Sequence, residues 1–311
     1  MSKLTIIYNT CGISGSDQHR VQEYHNALDS CLRQDCNPSV VFSSCMNNQS
    51  VIDQIQARFD NKICYNLIRE VVPVNVSFNH SVKQHKKVFG DSDAYFYMAS
   101  DTIFTANDQL SQLHNLMMSG NYGIVSAKPT IDSGFIEWLK FDYNALPENR
   151  DYIIPVGKAC NMHTLLFSNK IYEYYGNIIP DIFAAYCSES TFSFMLAAIG
   201  LQWIICNGVV MNHFKSFDGA SSGFDHKVNN VPWDNTWHCT RSMKDIIADN
   251  EGIKNGFGYE ELNGVLIHDP SQFENNVCIN AKLKEFIKNN IYLHKEEFDY
   301  DAVNSEFKVL T

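Results

Sequence analysis

The stretch DAYFYMASD, residues 93–101, runs from five residues without a charge (Ala94 to Met98) straight into Ala-Ser-Asp. An apolar run this short and aromatic predicts a buried strand, and the carboxylate at its far end emerges where open α/β sheets bind ligands. Hard carboxylate oxygens, alone or with one or two imidazoles, suit magnesium or manganese. Asp101 is therefore a candidate metal ligand. The plainer reading is an acid that caps or solvates a turn at a strand end.

The elements that must position this carboxylate are legible ahead of it. LTIIYNT (4–10) predicts a strand, and Val21, Tyr24, His25, Leu28 and Leu32 form a helical stripe with Ser16 or Asp17 as N-cap. A second strand follows at SVVFSS (39–44), then a helix carried by Ile52, Ile55 and Phe59, then a strand around KICYNLI (62–68). This β-α-β-α-β order implies parallel pairing through right-handed crossovers, with the site at the strand C-termini.

Further segments extend the pattern: ALDSCLRQ (27–34), SVVFSSCMNNQS (39–50), SFNHSV (77–82), YMASD (97–101), SESTFSFMLAAIGLQW (188–203) and VVMNHF (209–214). In this order and spacing, over about residues 3 to 216, the chain resembles a family 2 glycosyltransferase of the GT-A fold. The resemblance implies a nucleotide-diphospho-sugar transferase fold, a Rossmann-like mixed α/β sheet flanked by helices. It also implies a hexosyltransferase-type enzyme moving a sugar from a nucleoside diphosphate sugar, UDP-sugar favoured, to a hydroxyl acceptor such as a glycan.

Residue roles follow from the same resemblance. YMASD stands in place of an Asp-x-Asp strand end, so Asp101 and the late His213 would hold Mn2+ or Mg2+, while Ala99 replaces the first acid. That loss leaves fewer protein contacts to the ion, so either a low affinity or an occupancy dependent on bound nucleotide is expected. Glu189 matches the catalytic base by lying eleven residues before Gly200, with Ser188 where the pattern has an acid. Such a base serves direct, inverting displacement. The bland alternative for Glu189 is a first-turn acid behind the N-cap Ser188, on a helix whose apolar stripe is 191, 194, 195 and 198. Nucleotide contacts fall on Thr10, Cys11, Ser44, Cys45, Asn79, Ser100 and Lys215, with Ser44 and Cys45 where the family has a base-reading Asp. Asn79 would equally serve as a cap at a helix start. Trp138, Trp233 and Trp237 are candidates for stacking on an acceptor sugar, or core residues.

Composition bounds these readings. With 311 residues, 45% hydrophobic and 19% charged, the chain can hold a large α/β domain plus an appendage. A formal charge of −11 argues against sequence-independent binding of nucleic acid or anionic lipid, and disfavours a nucleic-acid acceptor. The ten cysteines show no C-x-x-C pair and read as reduced thiols of a cytoplasmic protein. No run approaches the ~20 apolar residues of a membrane span. The Gly/Ser-rich FDGASSGFDHK (217–227) marks a boundary. Residues 1–216 form the expected catalytic domain, and 217–311 a small helical extension (helices at 242–250 and 279–298) packed on it.

Two other classes compete. A nucleotidyltransferase would want a Gly-rich basic loop after the first strand, which NTCGISGSDQHR matches poorly. A non-catalytic nucleotide-sugar- or glycan-binding protein on a decayed transferase fold is the stronger rival, because Ala99 and Ser188 both replace acids. Retention of Asp101, Glu189 and His213 together favours activity.

Overall fold

The computed structural model describes residues 3–12, 17–70, 72, 74–130, 135–136, 141–146, 150–154, 160, 163–179, 188–213 and 302–309. The predicted opening alternation is present as β1 (Leu4–Cys11), α1 (Asp17–Leu32), β2 (Ser39–Cys45), α2 (Gln49–Phe59) and β3 (Cys64–Ile68). It continues with α3 (Val74–Phe89), β4 (Ala94–Ala99), β5 (Thr102–Ile103), α4 (Gln109–Met118) and β6 (Tyr122–Thr130). A small hairpin, β7 (Phe135–Ile136) and β8 (Phe141–Asp142), lies apart from the main sheet. Then come β9 (Tyr152–Ile154), β10 (Thr164–Ser168), α5 (Asn169–Tyr175), α6 (Ser188–Ala197), β11 (Gln202–His213) and β12 (Ser305–Val309).

Among the described residues the main sheet has ten strands, in the order β12-β3-β2-β1-β4-β10-β6-β11-β5, with β9 also on β11. The pairings β1–β2, β1–β4, β2–β3 and β6–β11 are parallel. β10 runs antiparallel between β4 and β6, so β6 and β11 share the direction of the first four strands. The sheet is mixed, and its parallel members all end on one edge.

Period-two alternation explains why both faces are covered. In β1, Ile6 and Tyr8 face one core and Ile7 the other; in β4, Phe96 and Met98 oppose Tyr95 and Tyr97. Tyr24, Leu28, Ile52, Ile55, Phe59, Leu110 and Leu113, from α1, α2 and α4, close the first face. Phe78, Val82, Ile171, Tyr175, Phe192, Met195 and Leu196, from α3, α5 and α6, close the second.

Helix α6 begins at Ser188, where the sequence places its start. It buries Phe192, Met195, Leu196 and Ala197, a wider contact than the predicted single stripe; the side chains of 191 and 194 lie outside those described. Gly123 in β6 permits its close approach, since a Cβ there would lie 2.3 Å from Leu196 Cδ2. The Tyr175 hydroxyl donates to the Met195 carbonyl at 2.9 Å, and Phe192 meets the Trp203 ring edge-on at 5.7 Å.

β12 has no counterpart in the sequence-based expectation of a helical end. Its five residues pair antiparallel with β3, and the flanking Asn304 accepts from the Arg69 amide at 2.8 Å and donates its own to Glu70 Oε1 at 2.6 Å. The predicted C-terminal helices at 242–250 and 279–298 lie outside the described residues.

Candidate functional site

Three pieces of backbone pairing assemble one cluster at the sheet's carboxyl edge. β4 ends at Ala99, the chain turns through Ser100 and Asp101, and β5 then pairs antiparallel with the tip of β11, placing Thr102 opposite His213. This brings together two residues that are far apart in sequence. On the other side of β4, the antiparallel ladder with β10 extends one step past Thr164, where the Ala99 amide donates to the His163 carbonyl at 3.0 Å. The turn itself is held from within. Tyr8, fully buried, donates its hydroxyl to the Ser100 carbonyl at 2.8 Å, and Thr102 Oγ1 donates to the Ala99 carbonyl at 2.8 Å.

Asp101, His163 and His213 each offer a ligand atom, and these atoms all lie within 4.8 Å of one another. His213 Nε2 is 3.3 Å from Asp101 Oδ2, and the imidazoles of His163 and His213 lie with centroids 4.2 Å apart and planes tilted by 40°. Burial opposes ionisation of Asp101, but the His213 imidazole beside it and the proximity of His163 outweigh it and hold the carboxyl below its usual range. His163 Nδ1 is closed off from solvent, and burial pushes the imidazole down to about 4 against the pull of Asp101. An ionised carboxylate beside a neutral imidazole is the donor chemistry a divalent cation requires. Atoms sharing one ion at bonds of about 2.1 Å stand roughly 3–4 Å apart, so the cluster needs only side-chain adjustment to close on one. The residues fit such an ion.

A second, uncharged cluster lies along the same edge at the ends of β1 and β2. Thr10 Oγ1 donates to the Ser43 carbonyl at 3.1 Å and so has only lone pairs left for Asn47, whose Nδ2 donates to it at 2.7 Å. The same Nδ2 donates to Ser44 Oγ at 2.8 Å. Both amide protons are thereby used, and Asn47 Oδ1 is buried with no partner. Met46, just before it, adopts a left-handed conformation (φ 56°) that turns the chain between β2 and α2.

The remaining predicted site residues divide. Cys45 is buried, with its thiol toward the carbonyls of Glu70 and Val72 at 3.4 and 3.9 Å. Cys11 pairs with Cys45 through the backbone, and its side chain is outside those described. Asn79 requires a correction of place: it lies inside α3, not at a helix start, because α3 already begins at Val74. Buried there, its Nδ2 donates to the Ile179 carbonyl at 2.8 Å while Oδ1 accepts from the Ile178 and Ile179 amides. Glu189 sits in the first turn of α6 by its backbone, with its side chain outside those described. Trp138, Lys215, Trp233 and Trp237 also lie outside the described residues. Two members of the edge escaped the sequence reading. For His163 the available signal was a histidine directly before the strand-like run TLLFS; for Asn47 it was an amide two residues past a strand end.

The arrangement of strands is that of the GT-A glycosyltransferase fold. The mannosyltransferase PcManGT from Pyrobaculum calidifontis, solved with GDP-Man and Mn2+, matches with a TM-score of 0.52 and 12% identity, over 93% of this chain and 87% of that one. GalNAc-T7, solved with UDP, GalNAc and Mn2+, matches with a TM-score of 0.57 and 9% identity; 96% of this chain aligns with 58% of its length. No protein-family model and no curated protein sequence matches the chain. Among the described residues no helix is long and apolar enough to cross a membrane.

Proposed function

We propose that the protein is a metal-dependent glycosyltransferase that moves a sugar from a nucleoside diphosphate sugar, UDP-sugar favoured, to a hydroxyl acceptor with inversion. The observation that carries this reading is the meeting of Asp101 and His213 at 3.3 Å on the carboxyl edge of a GT-A sheet. The two solved structures it resembles hold GDP-Man or UDP together with Mn2+.

Asp101 and His213 would hold a divalent ion, Mn2+ or Mg2+, which supplies positive charge for the departing diphosphate. Thr10, Ser44 and the Ser100 turn lie along the same edge, where the nucleotide would run. Glu189 takes the proton from the acceptor hydroxyl as that oxygen bonds to the anomeric carbon. The bond from that carbon to the diphosphate oxygen breaks, and its electron pair leaves with the diphosphate. Attack from the opposite face inverts the centre. Residues 1–216 would carry these steps, with 217–311 as an extension packed on them. Cys31, Cys36, Cys45, Cys64, Cys160 and Cys206 are thiols, which supports a reducing, cytoplasmic setting.

The test is release of nucleoside diphosphate from UDP-sugars and GDP-mannose, without acceptor, in Mn2+ and again in EDTA. Metal-dependent release is expected. Binding of the nucleotide sugar without any turnover would instead favour a binding protein, the reading that Ala99 and Ser188 support.

A further inference from the structure

Ala99 stands where the resemblance places the first acid of the metal motif, and it cannot ligate. Directly across the antiparallel pair from it stands His163, joined by the 3.0 Å bond from the Ala99 amide to the His163 carbonyl. Opposed residues of such a pair project from the same face, with Cβ atoms about 4.5–5.5 Å apart. At that face the alanine offers no ligand atom, and the imidazole reaches the same cluster from the neighbouring strand. The ring lies against that of His213, tilted by 40° with centroids 4.2 Å apart, alongside Asp101.

We propose that His163 replaces the missing acid as a third protein ligand, so that this chain loads its divalent cation without nucleotide and prefers Mn2+, Co2+ or Zn2+ to Mg2+. This rests on the metal reading of the site and deepens it in two respects. First, with Asp101 and His213 alone the protein offers two donors, and the ion's hold depends on phosphate oxygens from the donor. Three donors from three backbone-fixed positions make a site that exists before the nucleotide arrives. Second, from sequence one or two imidazoles serve magnesium as well as manganese, but two imidazole nitrogens against a single carboxylate turn the set away from Mg2+, which retains water and selects oxygen, and toward the later divalent metals. The expectation from sequence, that losing the first acid lowers affinity or makes occupancy depend on nucleotide, is thereby reversed.

The experiment uses the full chain stripped with EDTA and free of nucleotide. Calorimetric titration with MnCl2, CoCl2, ZnCl2 and MgCl2 is expected to give one equivalent of each of the first three bound, with Mg2+ at least ~100-fold weaker. Visible absorption of the Co2+ form reports its ligand field without any variant. His163→Ala is expected to weaken nucleotide-free Mn2+ binding ~10-fold or more and to alter the Co2+ spectrum. Adding Ala99→Asp to His163→Ala is expected to regain Mn2+ and raise Mg2+ affinity toward it. A wild-type protein that binds Mn2+ only when UDP or GDP is present overturns the inference. So does a His163→Ala variant with unchanged affinity and Co2+ spectrum. Both results leave the transferase reading standing, because it needs only Asp101 and His213; that reading falls instead if nucleotide sugar turnover is metal-independent.

Discussion

The two stretches of the sheet's carboxyl edge solve different problems with different chemistry. At β1 and β2 the side chains are hydroxyls and an amide, Thr10, Ser44 and Asn47, locked together by bonds of 2.7–2.8 Å. At β4, β10 and β11 they are a carboxylate and two imidazoles, held near one another by strand pairing rather than by mutual saturation. The first stretch is neutral, and its groups accept or donate hydrogen bonds without attracting cations. The second is built to hold charge. One edge therefore carries a neutral and a charged stretch, and substitutions in the two are expected to fail differently.

The largest effect is expected at the charged stretch. Asp101→Ala should abolish metal-dependent binding of UDP or GDP in calorimetry, and His213→Ala should weaken it by ~100-fold, with circular dichroism unchanged. Unchanged, metal-dependent affinity in both variants would place the ion elsewhere and erase the contrast between the stretches.

Glu189 tests whether the chemistry belongs to a third place, the start of α6. Glu189→Gln keeps the helix start and should leave nucleotide affinity alone while slowing transfer by roughly 100-fold at saturating donor. A first-turn acid with no other role would cost under ~1 kcal/mol of stability and leave the rate near that of the wild type. Near-wild-type turnover would remove both the base and the inverting assignment.

The neutral stretch should respond to the loss of donors rather than of charge. Asn47→Leu deprives Thr10 and Ser44 of the amide protons they accept, at about 1–3 kcal/mol of stability, read by urea unfolding. It should also weaken UDP equally with and without Mn2+, by ~10-fold. A metal-dependent loss would show that the two stretches act as one unit.

How much of this was legible in the sequence follows from which contacts are local. The β-α-β-α-β opening could be read because each strand and helix carries its own periodicity, as Ile6, Ile7 and Tyr8 alternate and Ile52, Ile55 and Phe59 recur. Asp101 was legible because it directly follows an apolar strand. His163 was not, because its nearness to Asp101 is created by β10 inserting antiparallel between β4 and β6, a choice of partner that no local pattern in TLLFS encodes. The start of α3 lies three residues ahead of SFNHSV, whose polar groups read as a cap. In the structure these polar groups turn inward, with Ser77 donating to Asn9 Oδ1 at 2.7 Å and Ser81 bonded to Ser43 Oγ at 2.8 Å. β12 escaped for the same reason as His163: its partner β3 lies more than two hundred residues earlier.

The smallest effect is expected at the opposite end of the sheet, and it is needed as a control for any pH study of the site. His85 is buried against the start of β1 and β2, with Nε2 3.0 Å from Ser39 Oγ and 3.4 Å from Thr5 Oγ1. Burial first, and the nearby Lys3 second, push its imidazole down to about 4. The unfolded chain takes up this proton near pH 6.5, whereas the folded chain resists it until about 4, so the unfolded state binds more protons in between. Stability from this group is complete above about pH 6.5 and is lost as pH falls toward 4. From pH 7 to 5.5 the loss should be about 1 kcal/mol, and His85→Gln should remove that part of the pH dependence. Nucleotide binding by the same variant at pH 7 should be unchanged, because His85 touches neither stretch of the carboxyl edge. If the His85→Gln variant loses stability on acidification as steeply as the wild type, the acid sensitivity arises elsewhere. The buried imidazole of His163, also held down at about 4, would then be the next group to replace.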